Sequence, residues 1–110
     1  TLVPAEVTSP KSLENKDLGT ITGNFIKPFP IGSKVKLLIQ PEDLHHDDTS
    51  NLKFEVVDRK FRGTNFIYTL KTHTNTLIPV FVHSHHIHQH EINDKFGIKR
   101  PIHIDHIVCF

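Results

Sequence analysis

The stretch IGSKVKLLIQPEDL, Ile31–Leu44, decides how the rest of the chain is read. Gly32 and Ser33 punctuate it, and Val35, Leu37 and Ile39 then alternate with Lys34, Lys36 and Gln40. That period of two is the signature of a strand with one buried face. Pro41 cannot donate to a sheet ladder and biases Gln40 toward an extended backbone, so the strand is expected to stop there. Glu42 and Asp43 then open a polar connection through His45–Asn51.

Outward from this strand the chain keeps the same period. Downstream, Leu52, Phe54 and Val56 alternate with Lys53 and Glu55, and the alternation slips at Val56–Val57, which predicts a bulge. Arg62-Gly63-Thr64-Asn65 reads as a turn into the alternating Phe66, Tyr68 and Leu70, so a hairpin is expected. Leu77–Val82 is apolar on both faces and reads as a central strand, although Pro79 argues against full pairing on both sides. Phe96-Gly97 reads as a turn, and Ile102, Ile104, His106, Val108 and Phe110 share one face of a closing strand. Upstream, Leu2–Val7 is extended and interrupted by Pro4, Thr8–Asp17 reads as a loop, and Leu18–Ile26 as a short strand or hairpin. Only His85–Asn93 offers one or two helical turns. Six or seven short strands at roughly 8–12-residue spacing predict an all-β fold, a small OB-like barrel or sandwich. The expected organisation is one domain over residues 1–110, with a leading segment to residue 30 and the main barrel from 31 onward.

Composition narrows the function classes. No apolar run exceeds seven residues, too short for a membrane-spanning helix, so direct membrane insertion is not expected. The chain begins at Thr1 and contains no Met, which reads as a piece of a longer protein. One cysteine, Cys109, allows neither an intrachain disulfide nor a CxxC site, and fits a reducing compartment. The formal charge of +1 supplies no general pull toward nucleic acid, but ten histidines would carry it to +11 if all protonated.

The densest chemical signal is His83-Ser84-His85-His86-Ile87-His88-Gln89-His90. In extended backbone His83 and His85 share one face and His86, His88 and His90 the other, and H-x-H pairs chelate divalent metals. Distant ligand types occur at His45, His46, Asp47 and Asp48, but sequence spacing does not tie them to the run. Catalytic candidates are absent: Cys109 lies in an apolar strand as a structural thiol, Ser84 lacks a strand–turn–helix setting, and no phosphate-binding glycine loop occurs. Two functional readings of different classes are compatible with these residues. One is a free-standing His-rich metal-binding β domain. The other is an OB-type nucleic-acid binder using Lys53, Arg59, Lys60 and Arg62 with Phe61 and Phe66.

Taken in order, KVKLLIQPEDL at Lys34–Leu44, Leu52–Asp58, Phe61-Arg62-Gly63 with Tyr68-Thr69-Leu70, and the closing Pro101–Phe110 resemble a TOBE-type accessory domain. Such domains lie at the C-terminus of ABC importer ATP-binding subunits. The opening Leu2–Val7 with Leu18–Ile21 is most similar to the ferric-iron branch. The motif positions are Gln40, Pro41, Glu42, Phe61, Gly63 and Tyr68, with Gln40 standing where the family usually has Arg. The Ser-x-Arg-Asn signature of the molybdate-binding variant is absent. The resemblance implies a non-catalytic regulatory and dimerisation domain without a cofactor of its own. ATP and Mg would belong to a nucleotide-binding domain outside this chain, docked on a membrane permease at the cytoplasmic face. It further implies a homodimer through this domain, no nucleic-acid partner, and iron(III) or another inorganic ion as cargo, with sugar, polyamine or sulfate as the alternatives.

Overall fold

The computed structural model describes residues 1–83 and 90–110, and among these the chain is all-β and OB-like, with nine strands and no helix. It divides into two compact units, Thr1–Ile39 with Pro101–Phe110, and Gln40–Arg100. The strand read first from the sequence ends the first segment of one unit, and its Gln-Pro-Glu-Asp sequel begins the other.

The first unit holds β1 (Leu2–Ser9), β2 (Ser12–Asn15), β3 (Gly19–Phe25), β4 (Lys34–Leu38) and β9 (Ile102–Ile107), in the sheet order β4-β1-β2-β3-β9. Val35, Leu37 and Ile39 are buried, as their alternation requires. The residues after β9 return to β4: Lys36 and Phe110 exchange backbone hydrogen bonds at 2.9 Å each, and Leu37 bridges Cys109. Both edges of the sheet are thereby joined, which removes the open edge that invites aggregation. Its core is aliphatic, built from Val3, Ala5, Val7, Leu13, Leu18, Ile21 and the residues of β4 and β9.

Two sequence expectations fail here for identifiable reasons. Thr8–Asp17 contains β2 rather than only loop, because Leu13 is fully buried and Asn15, also buried, satisfies the chain around it. The Asn15 amide donates to the Pro4 carbonyl at 2.7 Å, while its Oδ1 accepts from the N–H groups of Asp17 and Leu18, each at 2.9 Å. Pro4 sits within β1 because the β1–β2 pairing does not extend to it. In β9 the alternation slips: Ile102, Ile104 and Ile107 are buried and His106 is exposed. The parallel β3–β9 register shifts between Gly23 and Asn24, so the expected inward face of His106, Val108 and Phe110 is lost.

The second unit holds β5 (Lys53–Phe61), β6 (Asn65–Lys71), β7 (Leu77–His83) and β8 (Lys95–Gly97), in the order β7-β6-β5-β8. The β5–β6 hairpin forms as expected, with its bulge between Val56 and Asp58, where Val56 instead exchanges backbone hydrogen bonds with Asn93 and Asp94. Leu77–Val82 proves to be an edge of this sheet and not its centre. Pro79 explains why: it lacks the N–H that a central strand would donate. Phe96-Gly97 belongs to β8 and not to a turn. The segment from Pro41 to Asp47 reaches both edges of the sheet. The Pro41 carbonyl accepts from Phe81 N–H on β7 at 2.8 Å, and Asp47 N–H donates to the Gly97 carbonyl on β8 at 2.9 Å.

Candidate functional site

The motif positions read from sequence all lie in the second unit. Gln40-Pro41-Glu42-Asp43 is a closed turn in which Gln40 N–H donates to Asp43 Oδ2 at 2.8 Å and Asp43 N–H returns to the Gln40 carbonyl at 3.0 Å. Burial, aided by the neighbouring Glu42 charge, holds the Asp43 carboxyl above its usual range despite the Gln40 N–H. Gly63 has φ 71° in the β5–β6 turn, and Phe61 and Phe66 face each other across that turn with ring centroids 5.1 Å apart. Tyr68 is buried, and its hydroxyl accepts the His90 N–H at 3.1 Å.

That last bond leads to the one group of metal-ligand residues found among those described: His46, Asp48 and His90. Asp48 Oδ1 accepts from His46 Nε2 at 2.7 Å and from His90 Nε2 at 2.9 Å. The His46 and His90 side chains are only 12% and 10% exposed, whereas Asp48 is 43% exposed. Burial opposes the charge on Asp48, but the hydrogen bonds and charge interactions with the two histidines outweigh it, and the carboxyl lies below its usual range. Aromatic rings wall the inner side. Phe96 lies 4.6 Å from the His46 ring and 4.9 Å from the His90 ring, and Tyr68 lies 6.0 Å from His90.

Each histidine is held by its own backbone neighbours. His46 forms a bridge with Ile98, flanked by the Asp47–Gly97 bond and by Lys99 N–H on the His45 carbonyl at 2.8 Å. Gly97 permits this approach, since a Cβ there would stand 2.0 Å from the Asp47 carbonyl oxygen. At His90 the N–H goes to Tyr68, and Arg59 Nη1 donates to its carbonyl at 2.9 Å. An open cleft of about 470 Å³ borders His46, lined also by Glu42, His45, Phe81, His83 and Lys99.

The structure therefore joins one member of the histidine run, His90, to His46 and Asp48. His83 ends β7 with its ring 5.3 Å from Phe81, and His85, His86 and His88 lie outside the described residues, as does most of the expected helical turn. Of the four distant candidates, His45 is exposed and Asp47 turns away to accept the Thr49 N–H and hydroxyl at 2.9 and 2.6 Å. Those bonds hold the Asp47 carboxyl below its usual range. His46 and Asp48, at i and i+2, carried a local hint of a shared face; what they faced was not in the sequence. The backbone of Cys109 bridges Leu37 on β4, and burial pushes its thiol pKa up.

Residues 37–103 match the TOBE domain family, a span that includes the whole second unit and more than half of the chain. The chain belongs to the TOBE domain family. No curated protein matches it significantly. TOBE domains are non-catalytic accessory domains of ABC transporter ATPases. In this TOBE domain Tyr68, a family-motif position, holds the backbone of His90, so the hairpin that carries the family likeness also positions one member of the histidine–aspartate cluster.

Proposed function

We propose that this TOBE domain is the regulatory and dimerisation part of the ATP-binding subunit of an ABC-type importer, with iron(III) or another inorganic ion as the cargo. The family match over residues 37–103 carries the reading. The closed Gln40–Asp43 turn and the Phe61–Tyr68 hairpin, which give the motif positions a definite conformation, support it. The chemistry of ATP hydrolysis would reside in a nucleotide-binding domain joined to this chain, and the complex would sit at the cytoplasmic face of the membrane through a permease.

The physical role is avidity. A lasting contact between two accessory domains keeps two ATPase modules at high effective concentration while their nucleotide faces separate after hydrolysis. A ligand that binds one arrangement of the pair better than the other then biases turnover. The assignment of inorganic cargo comes from the similarity of Leu2–Val7 and Leu18–Ile21 to the ferric-iron branch.

Two measurements test this. The full-length product of the gene is expected to contain a Walker A segment, and its absence ends the transporter reading. Sedimentation of the full-length subunit without nucleotide is expected to show a dimer that persists when ATP is removed. A monomer at all concentrations would retain the family and remove the dimerisation role.

A further inference from the structure

We propose that His46, Asp48 and His90 form a binding site for one divalent transition-metal cation of the zinc class. The inference rests on this cluster's geometry and stands whether or not the transporter reading holds.

The donor set is the first argument. Two imidazole nitrogens and one carboxylate suit zinc and its first-row neighbours, whereas magnesium, calcium and ferric iron favour oxygen-only or oxygen-rich ligation. The three donor atoms lie within 4.8 Å of one another. Around a tetrahedral zinc, with bonds of about 2.0–2.1 Å, ligand atoms stand about 3.3 Å apart. The present separations of 2.7 and 2.9 Å from Asp48 Oδ1 are those of hydrogen bonds, and the two imidazole nitrogens stand up to 4.8 Å apart, so metal entry draws them together by up to about 1.5 Å and moves Asp48 outward by about half an ångström. Asp48 is free to make that move because it is a half-exposed side chain on a connection, outside every strand. On binding, the Nε2 protons now directed at Asp48 leave to Nδ1 or to solvent, and the nitrogen lone pairs take the metal.

Preorganisation is the second argument. The His46 backbone is placed by the Ile98 bridge and the His90 backbone by Tyr68 and Arg59, so folding orders the chain at both positions and metal binding has only the imidazole and carboxylate rotamers to adjust. The third is access. The imidazoles are closed off by Phe96 and Tyr68 on the inner side, while the exposed Asp48 leaves the outer side to water, the arrangement of a three-ligand site with an open position.

The alternative source of affinity is the neighbouring histidine run, and the experiment separates the two. Zinc binding to the full chain is measured by calorimetry, and cobalt(II) binding by its visible absorption, for four proteins: the wild type, Asp48→Asn, His46→Gln, and the triple variant His85→Ala, His86→Ala, His88→Ala. We expect one equivalent bound with micromolar or tighter affinity and a tetrahedral-type cobalt spectrum in the wild type and in the triple variant. Asp48→Asn and His46→Gln are expected to weaken binding at least about 100-fold, since even outer partners of metal ligands are worth about 10- to 100-fold. Asn at position 48 keeps an acceptor for both imidazoles, so this variant decides the matter if His46→Gln fails to fold. The proposal is overturned if Asp48→Asn binds as the wild type does. It is equally overturned if binding vanishes in the triple variant, or if the wild type shows only weak, multi-site uptake.

Discussion

The two units solve the same problem, closing a small β-sheet, with different interiors. The first unit packs Val, Leu, Ile and Ala, and its one buried polar side chain, Asn15, is spent on holding a turn. The second packs Phe54, Tyr68 and Phe96 among its aliphatic residues, and brings two nearly buried imidazoles against that aromatic wall. An aliphatic interior makes no hydrogen bonds and no charge, so it can only support. An aromatic interior with a phenol at its edge can direct a polar backbone, as the Tyr68 hydroxyl does at His90. Among the described residues the histidine–aspartate cluster lies in the unit that contains the Gln-Pro-Glu turn and the hairpin.

The sharpest way to break this contrast uses one glycine from each unit. A Cβ at Gly23 would stand 1.8 Å from the Ile104 carbonyl oxygen, and one at Gly97 would stand 2.0 Å from that of Asp47. Neither backbone can yield without moving a strand, so Gly23→Ala and Gly97→Ala should each cost more than about 3 kcal/mol in denaturant unfolding. They should differ in one respect: Gly97→Ala shifts the imidazole NMR signals of His46 and His90, and Gly23→Ala leaves them in place. Equal shifts from both would show that the cluster is not set locally.

Asn15→Ala comes next. It strands two N–H donors and the Pro4 carbonyl, and should lower stability by about 2–3 kcal/mol. A loss below half a kcal/mol would mean that water replaces the side chain. Tyr68→Phe keeps the ring packing and removes only the acceptor for His90 N–H, so the expected cost is about 1 kcal/mol. Faster exchange of the His90 amide should accompany it, and unchanged exchange would remove Tyr68 from its positioning role.

The smallest effect is a matter of sign. Asp43 and Asp47 both cap turns in the second unit, yet their pKa values move in opposite directions. A raised folded pKa means that the stability tied to the protonated form is present at low pH and lost as pH rises through the folded value. Asp43→Asn, which imitates that form and still accepts from Gln40, should therefore gain on the wild type as pH rises above the ordinary carboxylate range. A lowered folded pKa does the reverse, so Asp47 contributes above its unfolded pKa and stops contributing as pH falls through the folded one. Asp47→Asn should be less stable than the wild type at neutral pH and approach it in acid. Thermal scans at several pH values read both, and slopes of the same sign for the two variants would refute the assignment.

What could be read from residues alone followed from a strictly local rule. Side chains alternate across a strand, so Val35, Leu37, Ile39, Phe54, Val56, Tyr68 and Leu70 announced buried faces, and the slip at Val56 announced its bulge. The order of those pieces likewise carried the family, because a run of short motifs survives in one dimension. Strand partners were not legible in the same way. Leu77–Val82 looked central from its composition, yet an edge was assigned to it by hydrogen-bonding neighbours that composition does not encode. β2 was hidden because a single leucine and one asparagine do the work that alternation does elsewhere. Long range decided the rest. Asp48 and His90 stand 42 positions apart, and only the closing of the second sheet, with Asp47 laid against Gly97 and Tyr68 beneath His90, brings a carboxylate and two imidazoles to one point.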